Sequence, residues 1–328
     1  MQLVDGVDAL PADRPLAVTL GIFDGVHRGH LHCLRETIAV ARRLEAAPVA
    51  ITFEPHPAAV LRGAAPPLIC PPEERLSRLA AAGVELGVVQ RFDHQFAAQS
   101  AEQFLRRLAD GRRLAGLVMT AESAFGHDRE GTLAEVRRLS RPLGFELIEA
   151  AQLVLDGGPV SSTRIRELIE GGRLAAAARL LGRPYAVAGE IVHGDGRGRE
   201  LGYPTANFGF AAEVCLPPNG IYAVRVGWGG ADPLAPERRA DGVASLGVRP
   251  TFGAGARVLE AFLFDISEDL YGERMRLEFV RCQRGEKRFS SVADLIAQME
   301  RDAARARAIL RRRSPDRTEH VLDSRLTV

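Results

Sequence analysis

Two histidines three residues apart, His27 and His30, stand in a glycine-rich stretch that reads Gly21-Ile22-Phe23-Asp24-Gly25-Val26-His27-Arg28-Gly29-His30. After a parallel strand, a turn of this kind leaves backbone amides and a helix N-terminus facing an anion. Two imidazoles on one face of that helix start can hydrogen-bond a triphosphate and stabilise charge developing on phosphorus. The same spacing also suits plain capping histidines. A zinc set with Cys33 is the weaker reading, because two steps of three drift around a helix and no further ligand is near in sequence. A second cluster, Ser161-Ser162-Thr163-Arg164-Ile165-Arg166, offers hydroxyls and free amides at a helix start, with the fork of Arg166 one turn later. A simply capped helix would look the same. In Gly202-Tyr203-Pro204-Thr205-Ala206-Asn207, Thr205 and Asn207 point the same way if the chain is extended. Their hydroxyl and amide carbonyl suit a hard magnesium ion bound to phosphates, or an ordinary turn. Finally, Glu260 lies in Val258-Leu259-Glu260-Ala261-Phe262-Leu263-Phe264, apolar on both faces and so expected to be buried on both. A carboxylate there is either paired, with an arginine such as Arg249 or Arg284, or it does chemistry.

Other chemistries are excluded by what is missing. Lys287 is the only lysine among 43 basic residues, and it follows Glu286. There is therefore no Walker A loop, and no lysine in the context of a protein kinase or a Schiff base. The run Gly194-Asp195-Gly196-Arg197-Gly198-Arg199-Glu200-Leu201-Gly202 fails the dinucleotide pattern, with Arg199 or Leu201 at the third glycine. Ser245 misses a nucleophile elbow because Val243 is not glycine, and no His-Glu-x-x-His occurs.

Positioning these groups takes more than one ordinary domain, and 328 residues suggest two. With 46% hydrophobic and 26% charged residues, the chain can bury a core. A net charge of +1 and 6% aromatic residues argue against a nucleic-acid partner. The longest charge-free run, residues 201–212, is too short for a membrane helix. No leader is visible around Asp5 and Asp8, and Cys33, Cys70, Cys215 and Cys282 form no CxxC pair. Both features suit the reduced cytoplasm.

Residues 17–22, 48–53, 86–90, 114–119 and 145–148 read as strands, alternating with helices over 31–44, 73–82, 101–109 and 133–140. This alternation predicts a parallel sheet covered on both faces. Helices over 163–170 and 173–181 follow. From residue 184 the strands 185–193, 221–226, 242–248, 258–266 and 275–281 run without an intervening helix until 292–310. They predict a small antiparallel β-barrel closed by a C-terminal helix. The domains are set at 1–183 and 184–311, with a polar tail at 312–328.

The histidine string resembles the nucleotidyltransferase superfamily, whose hallmark is His-x-Gly-His, here His27-Arg28-Gly29-His30. Its longer form resembles the adenylyltransferase module of bacterial bifunctional riboflavin kinase/FAD synthetases. Thr52-Phe53-Glu54-Pro55-His56-Pro57 and the serine cluster are similar to that family's further signatures. Pro204-Thr205-Ala206-Asn207, Pro217-Pro218-Asn219-Gly220-Ile221-Tyr222-Ala223, Gly247-Val248-Arg249-Pro250-Thr251, Tyr271-Gly272 and Arg284-x-Glu286-x-x-Phe289 resemble its kinase half. Two places depart from the pattern: Glu122 and Ser123 replace Asp and Phe in Thr120-Ala121-Glu122-Ser123-Ala124-Phe125-Gly126, and Ser245 stands where Asn is usual.

The resemblance implies a Rossmann-like α/β domain plus a β-barrel, a class α/β plus β. It implies phosphorylation of riboflavin to FMN with MgATP and adenylylation of FMN to FAD. The alternatives are a monofunctional riboflavin kinase or FMN adenylyltransferase with the other module inactive, or a flavin- or nucleotide-binding regulator. It assigns catalysis to His27, His30 and Glu260, and metal binding to Thr205 and Asn207. ATP falls to Gly21, Phe23, Asp24, Gly25, Gly29, Ser161, Ser162, Thr163, Arg166, Gly196 and Gly202. Flavin falls to Glu122, Phe125, Gly126, Arg129, Arg284 and Glu286.

Overall fold

The computed structural model describes residues 1–194, 198, 202–248 and 257–312. Gly196 and the segment 249–252, with Arg249, lie outside the described residues, as does the tail from 313. The chain divides into two compact units, Met1–Leu68 with Pro72–Ser162, and Ile69–Pro71 with Thr163–Val328.

The first unit holds parallel strands β1 (Gln2–Asp5), β2 (Leu16–Leu20), β3 (Ala47–Glu54), β4 (Leu86–Arg91), β5 (Leu114–Met119) and β6 (Glu146–Glu149), in the order β1-β4-β3-β2-β5-β6. Helices α1 (Arg28–Arg43), α2 (Pro57–Arg62), α3 (Pro72–Ala81), α4 (His94–Ala97), α5 (Ala101–Ala109) and α6 (Leu133–Leu143) connect them. In β3, seven of eight residues are buried, as expected of a strand covered on both faces. One face buries Leu16, Val18, Val49 and Ile51 against Phe104, Leu105 and Leu139. On the other, Val40 and Ala41 of α1 pack on Ala17 and Val118. From β2 the chain builds β3 and β4 on one side, then returns to lay β5 on the other. The crevice between the C-terminal ends of β2 and β5 is therefore a topological switch point, where such sheets bind ligands.

Helices α7 (Ser162–Glu170) and α8 (Leu174–Leu181) precede the barrel. Its strands are β9 (Ala186–Val192), β10 (Ala206–Gly209), β11 (Gly220–Trp228), β12 (Arg238–Val248), β13 (Arg257–Leu263) and β14 (Arg274–Arg284), after a two-strand ribbon β7 (Val154–Leu155) and β8 (Gly158–Pro159) in the first unit. The barrel closes antiparallel in the order β10-β13-β12-β11-β14-β9. Along β11, Val224, Val226 and Trp228 are buried and alternate with the less buried Arg225 and Gly227, the two-residue period of a strand with one face inward; Ala223, on the other face, is buried as well. Helix α9 (Val292–Arg312) covers part of the outside, seating Ala306 and Leu310 on Ala223 and Phe264.

Three expectations are corrected. The chain leaves β2 after Leu20, so Gly21 and Ile22 belong to the turn rather than the strand. The barrel has a sixth strand, β10, four residues long, too short to show a period. The strand around Glu260 is not buried on both faces: Leu259, Ala261 and Leu263 are buried, but Glu260 and Phe262 are only half-buried.

Candidate active sites

The β2–α1 turn is bent by positive φ at Phe23 (53°), Gly25 (79°) and Val26 (36°). For a ring and a β-branched residue this costs about 1–3 kcal/mol each. Burial offsets it: Phe23 and Val26 pack with Leu34, Ala50, Leu79 and Val84. The carbonyl of Ile22 accepts from Thr52 Oγ1 at 3.0 Å and from Arg75 Nη1 at 3.2 Å. Arg75 also reaches Glu54 at 2.9 Å, so the Thr52–Pro57 motif holds the turn in place. Ser162 Oγ donates to the carbonyl of Asp24 at 2.9 Å.

His27 caps α1, its Nδ1 accepting from the amide of His30 at 3.2 Å. A neutral imidazole that accepts at Nδ1 carries its proton on Nε2, so His27 is a donor there. The two rings stack with centroids 3.6 Å apart, and Phe23 meets His30 edge-on at 5.2 Å. Cys33 lies one turn after His30 in α1. Its Sγ lies 3.3 Å from Thr19 Oγ1, and burial pushes the thiol pKa up.

On the same sheet end a cavity of about 500 Å³ is lined by Leu20, Phe53, Phe92, Phe96, Phe104 and Phe125, among others. One wall is the loop after β5, where Phe125 and Gly131 exchange backbone hydrogen bonds and Gly126 (φ 76°) lies against Ala101. A Cβ on Gly126 would come within 2.6 Å of the Ala101 nitrogen, so only glycine fits this close approach. Asp128 (φ 49°) and Arg129 (φ 60°) follow, and Arg129 Nη2 donates to the Glu122 carbonyl at 3.4 Å. Ser123 turns inward, its Oγ accepting from the Thr120 amide at 3.2 Å.

In the barrel, β13 sets Glu260 opposite Asn207 of β10 and opposite Ser245 of β12. Cross-strand partners of this kind lie about 4.5–5.5 Å apart at Cβ. Thr205 Oγ1 donates to Glu260 Oε2 at 3.3 Å. Asn207 is buried, and Gly194 lies so close that a Cβ there would come within 2.4 Å of its amide nitrogen. A cavity of about 220 Å³ opens at Thr205 and Asn207, bordered by Pro204, Leu263 and Tyr271.

The structure brings together His27 with His30, Ser162 with Asp24, and Glu260 with Thr205 and Asn207. Other expected residues meet different neighbours. Arg284 spends its fork on Asp302 of α9 at 2.6–3.2 Å. Glu286 accepts from Asn219 at 3.2 Å, and Asn219 in turn accepts from Arg257 at 3.0 Å. Burial pulls the Arg257 pKa below its usual value. Gly202 takes φ 81°. Thr163 and Arg166 lie in α7, the helix that Ser162 begins. Sequence reasoning missed Arg75 and the phenylalanine-walled cavity. The rings are scattered over three elements and two loops, and only the spacing Phe92, Phe96 hinted at a shared face.

Two family models match successive parts of the chain: one described as FAD synthetase matches residues 10–164, and one described as riboflavin kinase matches 181–310. Among curated proteins, the bifunctional riboflavin kinase/FMN adenylyltransferase of Escherichia coli (strain K12) is 35% identical over 311 residues, covering 94% of this chain and 97% of its own. The protein of that name from Pseudomonas fluorescens is 37% identical over 94% of this chain and 98% of its own. Its Bacillus subtilis (strain 168) counterpart is 31% identical over 88% and 90%. A crystal structure described as a macrolide-efflux protein from Streptococcus pneumoniae superposes with a TM-score of 0.82 at 29% identity, over 95% of this chain and 99% of that one. That description stays with that protein. With both halves matched in order and relatives aligned nearly end to end, the chain belongs to the bifunctional riboflavin kinase/FMN adenylyltransferase family.

Proposed function

We propose that the barrel phosphorylates riboflavin to FMN and that the α/β part adenylylates FMN to FAD, with 1–183 and 184–311 as the working divisions. One observation carries this reading: each half holds a different chemistry, a stacked imidazole pair at a sheet switch point and a barrel carboxylate beside a hydroxyl and a buried amide. In phosphoryl and nucleotidyl transfer the protein mainly positions groups and neutralises charge, so one lysine suffices.

For adenylylation, the FMN phosphate oxygen attacks the α-phosphorus of ATP and pyrophosphate leaves. His27 Nε2–H and His30 stabilise the charge that develops, and the amides and hydroxyls of Gly25, Gly29, Ser161 and Ser162 are assigned to the phosphates. The phenylalanine-walled cavity is assigned to the flavin ring, with Phe125, Gly126 and Arg129 at its wall. For phosphorylation, Glu260 takes the proton of the riboflavin 5′-hydroxyl while that oxygen attacks the γ-phosphorus and ADP leaves. Thr205 Oγ1 and Asn207 Oδ1, both hard oxygen donors, fit magnesium that arrives with ATP. When bound, magnesium neutralises charge on the transferring phosphate. Four scattered cysteines with no disulfide among them support a cytoplasmic setting.

The test is one time course. Purified protein given riboflavin and MgATP forms FMN first and FAD after it. FMN alone would confine the activity to the barrel, and neither product would overturn the reading.

A further inference from the structure

The cavity assigned above to the flavin is apolar over most of its wall. Phe53, Phe92, Phe96, Phe104 and Phe125 form a chain of ring contacts 5.5–5.9 Å between centroids. Such walls suit the body of a flat tricycle. They do nothing for its pyrimidine edge, whose two carbonyls and N–H lose water on entering. Gln99 lines the same cavity, and its Oε1 is buried with no hydrogen-bond partner among the described residues. Mobility of the segment does not explain this, because the Gln99 backbone is tied on both sides. Its amide donates to the Phe96 carbonyl at 3.1 Å and its carbonyl accepts from the His127 amide at 2.8 Å. The next residue, Ser100, makes a reciprocal capping box with Gln103 at the start of α5. A buried carbonyl oxygen left unpaired is a cost to the folded protein. A ligand that brings a donor to that oxygen recovers the cost.

We propose that the Gln99 carboxamide reads the polar edge of the acceptor flavin, with Oε1 accepting from the imide N–H (N3). Gln99 is then a specificity-determining residue for adenylyl transfer. The proposal rests on the cavity being the flavin site.

The probes are FMN and its N3-methyl analogue, which keeps the ring and phosphate and removes the one donor. The full chain and three variants, Gln99→Leu, Gln99→Glu and Ala98→Trp, are assayed for KM and kcat in adenylyl transfer. Riboflavin phosphorylation by the barrel of the same molecules serves as an internal standard for active protein. The parent prefers FMN to the methyl analogue by about tenfold or more in kcat/KM, the worth of one hydrogen bond to a buried group. Gln99→Leu raises KM for FMN by about tenfold and loses the preference, the loss falling in KM because ground-state binding is removed. Gln99→Glu, still an acceptor, keeps the preference. If Gln99→Leu discriminates as the parent does, or Gln99→Glu does not discriminate, the proposal is overturned. Ala98 lines the cavity, so Ala98→Trp fills it and raises KM for FMN. Should that variant bind FMN like the parent, the cavity is not the flavin site and both readings fall. Should it fail to bind while Gln99→Leu still discriminates, only the role of Gln99 falls.

Discussion

Glu260 has a hydroxyl within hydrogen-bond reach and a buried amide across the strand pair. Arg284, one of the arginines that could have claimed it, is bound to Asp302 instead. Glu260→Gln keeps the shape and the hydrogen-bonding capacity but removes the ability to take a proton. FMN formation should fall by about 10²–10⁴, with riboflavin affinity and Tm close to the parent's and FAD synthesis from supplied FMN intact. A mutant that phosphorylates riboflavin at the parent's rate sinks the general-base assignment. A lowered Tm with weakened binding would instead mark an ion-pair role. At this scale the residue types were legible from motif strings, but their neighbours were not. Ser245, read in sequence as a failed nucleophile elbow and as a departure from the family pattern, turns out to pair with Glu260 across β12 and β13.

Helix α9 shows how an element holds a site in shape without touching the reaction. Its Asp302 is buried, receives both Nε and Nη2 of Arg284, and accepts from Gln298 Nε2 at 2.9 Å. Arg284 ends β14, so the pair ties the helix to the barrel just before the loop carrying Glu286. Asp302→Ala leaves a largely buried guanidinium without its carboxylate, which typically costs 3–5 kcal/mol. The lower end, about 3 kcal/mol, is expected here because the Arg284 side chain remains 21% exposed. Denaturant unfolding followed by the fluorescence of Trp228, the single tryptophan, measures it. An unchanged midpoint would show the pair to be incidental. The long periodic elements were readable: α1, α5, α6 and the central strands are set by apolar spacing and caps. Of the four-residue strands, β6 was read but β1 and β10 were not, because so few residues carry little pattern.

At the scale of the whole molecule, two chemistries on one chain predict complementation. A variant with His27 and His30 both changed to Ala should make FMN but not FAD, since each lost donor costs about 10²–10³ in rate. Glu260→Gln should make FAD only from supplied FMN. Mixed with riboflavin and MgATP, the two should form FAD after a lag while free FMN accumulates. No FAD from the mixture would mean that FMN passes only within one molecule. The sequence alone determined the two-part plan, the parallel sheet followed by a barrel, and the His27–His30, Thr205–Asn207 and Glu260 candidates. Local periodicity and short motifs encode these, because both depend on residues close together along the chain. Tertiary structure alone decided the rest: the positive-φ turn held by Thr52 and Arg75, the capture of Arg284 by Asp302, and the five phenylalanines gathered around one cavity beside the carboxamide of Gln99. Those contacts join residues far apart in sequence, and only the register of the strands and the packing of helices on them bring such residues within a few ångströms.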